Sequence, residues 1–448
     1  MPKSVYNWQQ CTFVNMVSIE DLYKIFKSHP IICTDSRNIL PGCIFFALKG
    51  PAFNGNTFSE MALSKGAAYS VIDEKSFQKN SQYLLVDDVL ETLQSLANFH
   101  RHQLKIPFLA ITGSNGKTTS KELIKNVLTK KYRTVATKGN LNNHIGVPLT
   151  ILSIKTDTEF VVIEMGANHQ NEIDSYCRIA EPDYGLITNV GKAHLEGFGG
   201  FEGVKKGKGE LYSWISNHGK GIFLNGNSND LVAMAKEFKF PQTILYGTGQ
   251  EFYCMGELES DEPFLKVNWK CGNTKSIINA QLIGRYNFEN ILSAICIGNF
   301  FEINPDDIND AIESYVPDNS RSQIIKKKSN TIILDAYNAN PTSMVAALDN
   351  FRKISAQHKI VFLGEMAELG EESFAEHQKI ISVLVRESYD KIILVGENFK
   401  SFSDKIKGLY FDDSEKATSW LKENPIEDSY ILIKGSRSSK MEKIMEAL

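Results

Sequence analysis

The stretch FLAITGSNGKTTSKELIKNVL, residues 108–128, decides the fold class of this 448-residue chain. It begins with the apolar, strand-like run FLAIT, turns at Gly113 and Gly116, and continues with the spacing of an amphipathic helix. A strand, a glycine turn and a helix in this order form the repeating unit of a parallel sheet covered by helices. We therefore predict an α/β protein that binds its ligands at the carboxyl ends of the strands.

The glycine turn itself predicts a phosphate-binding loop. Its glycines let backbone N–H groups point at phosphate oxygens, and the following helix N-terminus adds positive potential. Lys117 can reach the β- and γ-phosphates of a nucleotide, and the Thr118 hydroxyl can hold Mg²⁺. The spacing departs from the usual phosphate loop because Ile111 takes the place of the first glycine. A tight turn with a chance lysine is the weaker interpretation, because strand, glycines, Lys-Thr-Thr and helix all agree. The residues predicted to bind ATP here are Gly113, Ser114, Asn115, Gly116, Lys117, Thr118 and Thr119.

Further apolar runs divide the chain into three predicted α/β domains. The runs FVVIEMG and YGLITNV continue the βα alternation after the phosphate loop. A second series, NTIILDAY, HKIVFLGEM, DKIILVGEN and SYILIKGS, predicts a Rossmann-like domain at the C-terminal end. Short strands such as CIFFAL and AAYSVID, with intervening turns, fill the first segment. We expect a small N-terminal domain over 1–86, a central parallel-sheet domain over 87–317 and a C-terminal domain over 318–448.

Two polar residues follow the central strands at the sheet end where the phosphate loop lies. Glu164 ends the strand-like run FVVIE, where a carboxylate is well placed to bind Mg²⁺. His194 lies just past the next strand, and its position at the same sheet end favours a functional role over a structural one. Lys208, in VKKGKGELY, has the pattern of a solvated basic helix face.

Composition and charge exclude several other classes of protein. A net charge of −4 and a pI near 6.2 provide no general attraction to nucleic acid or to an anionic membrane. No apolar run approaches the roughly 20 residues of a membrane helix. The opening residues MPKSVYNWQQ lack the apolar region of a secretory signal. Without a C-x-x-C pair, the scattered cysteines fit a reducing cytosol; they are Cys11, Cys33, Cys43, Cys177, Cys254, Cys271 and Cys296.

A set of ordered motifs resembles a known family. TGSNGKTT, GNLNNHIGVPLTIL, EMGAN and ITNVGKAHLEGFG together resemble the Mur ligases, which build the peptide stem of peptidoglycan. LDAYNANPTSM, LGEMAELGEES with the following His377, and LIKGSRSSKME resemble the MurF type, which adds D-alanyl-D-alanine to UDP-N-acetylmuramoyl-tripeptide. TDSRNILPGCIFFALKG is similar to the UDP-binding region of that type. The resemblance spans nearly the whole chain.

The resemblance implies a bacterial, cytoplasmic and monomeric enzyme. ATP would phosphorylate the terminal carboxylate of the tripeptide, and the amine of D-alanyl-D-alanine would attack the acyl phosphate. Lys117 and Thr118 would hold phosphate and a first Mg²⁺ together with Glu164. His194 and Lys208 would serve a second Mg²⁺, with Lys208 as its carbamate. Because nucleotide-binding residues lie in two domains, we expect the C-terminal domain to close onto the central one.

The resemblance also implies the remaining site residues. Asn287 and Asn290 would contact adenine, Asp335 the ribose, and Arg321 the γ-phosphate as a further catalytic residue beside Lys117, His194 and Lys208. The residues expected to bind the other substrates are Ser36 and Arg37 for the uridine diphosphate, and Asn338, Lys434, Ser436 and Arg437 for the D-alanyl-D-alanine side.

Alternatives within and outside this class stay open. Another Mur-type ligase or a folylpolyglutamate synthase would share the chemistry but differ in the amine acceptor. The D-N-P-R segment of the diaminopimelate-adding ligase is absent from the sequence. A P-loop kinase or NTPase would phosphorylate a hydroxyl or hydrolyse ATP without forming an amide. A non-catalytic nucleotide-binding module is disfavoured because Lys117, Glu164, His194 and Lys208 are all present.

Overall fold

The computed structural model describes residues 16–448. Cys11 and the predicted absence of a signal in the first ten residues lie outside the described part of the chain. The chain forms two compact units. The first contains the described residues up to Lys105 together with His144–Ile154, and the second contains Ile106–Asn143 and Lys155–Leu448. The predicted α/β class is confirmed, and the exact domain boundaries stay a prediction.

The first unit is built on a small parallel sheet. Its strands in spatial order are Ile32–Cys33, Ile44–Phe46, Tyr69–Ile72 and Tyr83–Leu85. A short antiparallel hairpin pairs Lys49–Gly50 with Phe53–Asn54. Its helices are Ile19–Ser28, Ser59–Ser64, Val89–Gln103 and Gly146–Leu152, with 3-10 turns at Gly55–Phe58 and Lys75–Phe77. Apolar side chains such as Phe45, Ile72 and Leu85 form its core, because the strands are covered by helices.

The second unit contains a nine-stranded sheet that carries the phosphate loop. Its strands in spatial order are Thr274–Asn279, Lys266–Cys271, Cys254–Ser260, Thr243–Gly247, Gly221–Asn225, Tyr184–Ile187, Phe108–Thr112, Phe160–Glu164 and Thr134–Ala136. Its helices are Lys117–Leu128, Glu172–Ala180, Leu195–Phe198, Phe201–His218, Asn229–Ala235, Asn287–Phe300 and Pro305–Glu313. Seven of the nine strands have at least one parallel neighbour, and Phe108–Thr112 is fully buried between two of them.

One edge of this sheet differs from the predicted parallel pattern. Strands Cys254–Ser260, Lys266–Cys271 and Thr274–Asn279 form an antiparallel meander. In KVNWKC, side chains alternate between buried and partly exposed positions, as expected for a strand with one face on the core. An alternating pattern of this kind is a weaker sequence signal for a strand than a continuous apolar run.

A six-stranded sheet completes the second unit. Its strands in spatial order are Gln323–Lys327, Asn330–Asp335, Tyr430–Lys434, Lys359–Gly364, Lys391–Val395 and Leu409–Phe411. Its helices are Pro341–Lys353, Ser373–Arg386, Glu397–Lys400 and Ser414–Glu423, with 3-10 turns at Gly370–Glu372, Ser403–Lys405, Arg437–Ser439 and Met441–Glu446. Every strand pair is parallel except the first, where Gln323–Lys327 runs antiparallel. The four strands predicted from the sequence form the centre of this sheet.

Throughout residues 16–448, no helix combines the length and the apolar character that crossing a bilayer requires.

Candidate active site

The phosphate loop adopts a backbone that only glycine accommodates at two positions. Gly113 has φ +144° and Gly116 has φ +77°, both in the region that side chains rarely adopt. A Cβ at Gly113 would lie 2.0 Å from the Thr188 hydroxyl, and one at Gly116 would lie 2.6 Å from Asn290 Oδ1. Both glycines are therefore fixed by packing as well as by the turn.

The loop after the neighbouring strand holds the phosphate loop in place. Ser114 N–H donates to the Asn189 carbonyl at 3.0 Å, and Asn115 N–H donates to Asn189 Oδ1 at 2.9 Å. Ser114 Oγ and the backbone of Gly191 exchange two hydrogen bonds of 2.9 and 3.1 Å. Because these contacts use backbone groups of both loops, the phosphate loop is organised before any nucleotide binds.

Lys117 is the first residue of the helix Lys117–Leu128. Its ammonium group donates to the carbonyls of Gly113 at 2.6 Å and Ser114 at 3.3 Å, so it folds back over its own loop. The pKa of Lys117 is lowered to about 8, mainly by burial; the charge of Glu164 partly offsets this effect, and the charge of Arg321 adds to it. A lysine in this state gains from an incoming phosphate, which supplies the missing negative charge.

Glu164 ends its strand beside Thr118, as the sequence predicts. Its Oε1 accepts hydrogen bonds from Thr118 Oγ1 at 3.1 Å and from Asn142 Nδ2 at 2.8 Å. Within the described part of the chain, no hydrogen-bond donor reaches its Oε2, although that atom is buried. The nearest cation is the ammonium of Lys121, 3.9 Å away and itself fully buried. An unsatisfied carboxylate oxygen in such a position is costly unless a ligand completes it.

This donor set fits Mg²⁺. The Thr118 hydroxyl and the free Glu164 oxygen are both hard ligands, and they lie at the phosphate loop. Across residues 16–448, no cluster of three or more His, Cys, Asp or Glu side chains forms a complete metal cage. Mg²⁺ is commonly held by one or two carboxylates with water and substrate phosphates supplying the rest. The residues present therefore suit a cation that arrives with a nucleotide.

His194 and Lys208 belong to two consecutive helical segments of the second unit. His194 has φ +53° and precedes the short helix Leu195–Phe198, while Lys208 lies in the helix Phe201–His218. The ammonium of Lys208 is buried, donates to the Ala167 carbonyl at 3.4 Å and lies 5.1 Å from the Phe198 ring centre. Burial, together with the charge of Lys117, lowers the pKa of Lys208 well below its usual value. The sequence interpretation of Lys208 as a solvated surface lysine is thus wrong.

Asn287 and Asn290 begin the helix Asn287–Phe300 and are both buried. Asn290 Oδ1 accepts a hydrogen bond from Ser120 Oγ at 3.0 Å, and its Nδ2 donates to Asn287 Oδ1 at 2.8 Å. Asn287 Nδ2 donates to the Ile283 carbonyl at 2.8 Å. The pair is therefore tied to the phosphate-loop helix and lies next to Gly116, close to where a nucleotide would lie.

The six-stranded sheet presents its own polar residues at the carboxyl ends of its strands. Asp335 and Lys434 end adjacent strands and form an ion pair at 2.5 Å, with Lys434 almost fully buried. Asp335 Oδ1 also accepts the Ser322 N–H at 3.2 Å. The Arg321 guanidinium lies over the Tyr337 ring, 3.6 Å from its centre. That stacking holds Arg321 in one orientation near Lys117.

The loop after Asp335 connects to the end of the last strand. Lys434 donates to the Asn338 carbonyl at 3.4 Å, and the Arg437 N–H donates to Asn338 Oδ1 at 3.3 Å. Ser436 is buried and shares a hydrogen bond with Ser438 at 3.0 Å, while the Arg437 side chain is exposed and pairs with Glu442. The predicted substrate residues of this domain thus form one group.

Ser36 and Arg37 belong to the first unit. Arg37 pairs with both carboxylate oxygens of Asp35 at 2.9 Å, and this contact holds the pKa of Asp35 well below its usual range. The Ser36 carbonyl accepts a hydrogen bond from Lys65 at 3.0 Å. Both residues lie in a loop between the first two strands of the parallel sheet.

Three residues of the site were not predicted from the sequence. Asn142 and Lys121 contact Glu164, and Glu368 contacts His194. Asn142 lies in the motif GNLNNHIGVPLTIL and Glu368 in the motif LGEMAELGEES, but no sequence feature distinguishes either residue from its neighbours. Lys121 has the spacing of an ordinary helix-surface lysine.

Fold and site together define a class: an α/β protein whose phosphate-binding loop faces the polar strand ends of a second, C-terminal α/β sheet. The family model for the Mur ligase middle domain matches residues 111–298, and the model for the Mur ligase glutamate ligase domain matches residues 320–437. The chain belongs to the Mur ligase family.

Relatives narrow the assignment within this family. The chain is 32% identical to the UDP-N-acetylmuramoyl-tripeptide–D-alanyl-D-alanine ligase of Bacillus subtilis, over 93% of this chain and 92% of the relative. Its structure is similar to that of MurF from Acinetobacter baumannii, with a TM-score of 0.83, 29% identity and coverage of 93% and 92%. It is also similar to Thermotoga maritima MurF in complex with ADP, with a TM-score of 0.81, 26% identity and coverage of 93% and 96%. The chain is a ligase of the MurF type.

Proposed function

We propose that this chain joins D-alanyl-D-alanine to UDP-N-acetylmuramoyl-tripeptide with consumption of ATP, and that the reaction passes through an acyl phosphate. The γ-phosphoryl group of ATP is transferred to the terminal carboxylate of the tripeptide, and ADP leaves. The amine of the dipeptide then attacks the carbonyl carbon, and phosphate leaves as the amide forms. A carboxylate is a poor electrophile, and phosphorylation supplies the leaving group that it lacks.

One observation carries this proposal most directly. At the end of the strand Phe160–Glu164, next to the phosphate loop, a buried carboxylate oxygen of Glu164 has no donor among residues 16–448, and the other oxygen accepts from the Thr118 hydroxyl. The same loop is hydrogen-bonded to the C-terminal sheet through Asn115 and Asn340. A nucleotide phosphate with its cation would satisfy the first feature, and D-alanyl-D-alanine bound against the second sheet would lie near the reacting carboxylate.

Lys117 and Arg321 supply positive charge near the phosphate loop, and the charge of Arg321 acts on Lys117. Lys117 already lies over the loop carbonyls and can turn from them to phosphate oxygens. Arg321 is held by stacking on Tyr337 and approaches from the C-terminal sheet. Phosphoryl transfer depends on positioning and on neutralising charge that spreads over the phosphate oxygens. These two side chains serve both needs.

Magnesium, when bound with the nucleotide, would neutralise phosphate charge and orient the γ-phosphate. Thr118 and Glu164 would hold the first ion, and Asn142 would keep the Glu164 carboxylate in place. His194 and Lys208 would serve the second. Lys208 would act as its carbamate, because carbamylation converts an ammonium into an anionic oxygen ligand. Its buried position beside the charge of Lys117 supports that form.

The remaining predicted residues would bind either ATP or one of the other two substrates. Asn287 and Asn290 lie against the phosphate-loop helix, which suits contact with the base, and Asp335 suits contact with the ribose. Lys434, Ser436, Arg437 and Asn338 form one polar group with N–H donors for a carboxylate of the incoming dipeptide. Ser36 and Arg37 would contact the uridine diphosphate within the first unit.

The location and assembly of the enzyme are proposed on chemical grounds. Cys33, Cys43, Cys177, Cys254, Cys271 and Cys296 are all free thiols, which suits the reducing bacterial cytoplasm where ATP is made. The monomeric state stays a prediction that light scattering can test.

A phosphate-release assay tests the proposed function. The purified protein receives UDP-N-acetylmuramoyl-tripeptide, ATP, Mg²⁺ and D-alanyl-D-alanine, and each component is omitted in turn. We expect phosphate release only when all four are present, with a pentapeptide product of matching amount. Release that ignores the amine would favour a kinase or NTPase instead. Release with L-lysine, diaminopimelate or glutamate, but not with the dipeptide, would favour another ligase of this class.

A further inference from the structure

His194 has a direct partner in the C-terminal half of the second unit. Its Nδ1 atom meets Oε2 of Glu368, a residue 174 positions later in the chain. The two side chains are partly exposed, at 21% for His194 and 50% for Glu368.

The backbone on both sides of this contact is unusual. His194 has φ +53° and Glu368 has φ +61°, and neither residue is glycine. Such conformations cost free energy and persist where the surrounding structure enforces them. The Glu196 N–H donates to the Glu368 carbonyl at 3.3 Å, so the two segments also meet through their backbones. The side-chain contact is therefore part of a built interface.

Three further contacts hold the segments on either side of this contact. His377 is buried, its Nε2 accepts the Met366 N–H at 3.0 Å, and its Nδ1 lies 2.7 Å from the Ser373 carbonyl. Lys192, two residues before His194, pairs with Glu376 at 2.7 Å. The His377 contacts hold the segment that carries Glu368, and the Lys192 contact holds the loop that carries His194.

The chemistry of imidazole gives this geometry a consequence. A carboxylate only accepts hydrogen bonds, so the nitrogen facing it carries the proton. With Nδ1 as the donor, Nε2 keeps its lone pair and can bind a cation or accept a proton. Carboxylates that orient a metal-binding histidine in this way change metal affinity or activity by about 10- to 100-fold.

We propose that Glu368 is a positioning residue that selects the Nδ1-protonated tautomer of His194 and so completes the second cation site from the C-terminal half of the unit. This inference rests on the proposed function, which assigns His194 to that site. The cation site then depends on docking of the segment Met366–Gly370 against the loop that carries His194. Cation binding and C-terminal docking are then coupled.

The test uses ¹⁵N-histidine NMR on the full chain at pH 8. A His194→Gln variant identifies the His194 signals among the nine histidines. Glu368→Ala removes the acceptor, Glu368→Gln keeps an acceptor oxygen without the charge, and Glu371→Ala removes a neighbouring exposed carboxylate as the matched control. Mn²⁺ affinity, measured by electron paramagnetic resonance with a non-hydrolysable ATP analogue, and thermal unfolding are recorded for each variant.

We expect the Nδ1-protonated form of His194 in the unmodified chain and in Glu371→Ala. Glu368→Ala should shift His194 toward the Nε2-protonated form, weaken Mn²⁺ binding and lower kcat by about 10- to 100-fold. The KM for D-alanyl-D-alanine and the unfolding temperature should stay unchanged. Glu368→Gln should give a tautomer ratio, an Mn²⁺ affinity and a kcat between those of the unmodified chain and of Glu368→Ala.

Two outcomes would overturn the proposal. One is a His194 tautomer that is the same with and without the Glu368 carboxylate. The other is a tautomer shift that leaves both Mn²⁺ affinity and kcat unchanged. Failure of the proposed function would look different, because the unmodified chain would then lack amine-dependent phosphate release while the tautomer measurement would still give its result.

Discussion

Asn340 donates a hydrogen bond from Nδ2 to Oδ1 of Asn115 at 2.8 Å, across 225 positions of sequence. Asn115 lies in the phosphate loop, and Asn340 caps the helix Pro341–Lys353 of the C-terminal sheet. One hydrogen bond thus joins the loop that would bind ATP to the C-terminal sheet, where D-alanyl-D-alanine would bind.

The first prediction concerns variants that remove this hydrogen bond, either at Asn340 or at Asn115. Asn340→Ser keeps a helix cap, because serine also accepts from the Ser343 N–H, but is too short to reach Asn115. Asn115→Ala removes the acceptor. Each change should lower kcat/KM for ATP roughly two- to tenfold, the value of one hydrogen bond. The double variant should lose little more than either single one, and strictly additive losses would contradict the link.

The second prediction concerns the carboxylate of Glu164. Glu164→Gln keeps the shape and can still accept from Thr118 and Asn142, but it removes the anionic oxygen that no donor satisfies among the described residues. Turnover should fall by roughly two to three orders of magnitude, because the bound cation contributes several kcal/mol to charge stabilisation. Calorimetric unfolding of the ligand-free protein should change little. A variant with normal turnover at low Mg²⁺ would exclude Glu164 as a ligand.

The third prediction follows from the pKa of Lys117, which burial lowers to about 8 in the ligand-free protein. Phosphate binds the charged form, so ATP affinity should be full below pH 8 and decline as pH rises above it. Lys117→Arg stays charged in this range and is the control. Calorimetric titration of an ATP analogue from pH 7 to 9.5 measures the effect. Equal pH slopes for the two proteins would contradict this role.

The fourth prediction concerns stability and His377. Burial lowers the pKa of His377, and its Nε2 accepts the Met366 N–H only when unprotonated. The unfolded chain therefore binds the proton first on acidification, so this contribution to stability is complete above about pH 6.5 and declines below it. Chemical unfolding between pH 7.5 and 5.5 should show a smaller pH dependence for His377→Gln than for the unmodified chain. Identical slopes would mean that His377 does not titrate as described.

The parallel strands were predictable because they are continuous apolar runs. FLAIT matches the strand Phe108–Thr112, and the four C-terminal runs each contain a strand of the six-stranded sheet. The strand Gln323–Lys327 was missed because it lies at a sheet edge and reads QIIKK, with no buried residue and two lysines among five. The Cys254–Asn279 meander was missed for a similar reason, since each strand buries only one face.

The site was predictable where a residue type and its local context agree. Lys117, Thr118 and Glu164 follow buried strands at one sheet end, so their proximity follows from topology. Lys208 shows the opposite case, because its burial depends on packing against Phe198 and Ala167, which helix periodicity does not contain. Glu368 required a contact between distant segments. Its role comes from three-dimensional proximity alone.

The most direct test of the account follows oxygen from the acceptor carboxylate. UDP-N-acetylmuramoyl-tripeptide with ¹⁸O in its terminal carboxylate is converted with ATP, Mg²⁺ and D-alanyl-D-alanine, and the released phosphate is analysed by mass spectrometry. Activation as an acyl phosphate predicts that each phosphate carries one ¹⁸O from the carboxylate. Phosphate free of ¹⁸O, released while the amide forms, would contradict carboxylate activation at the phosphate loop.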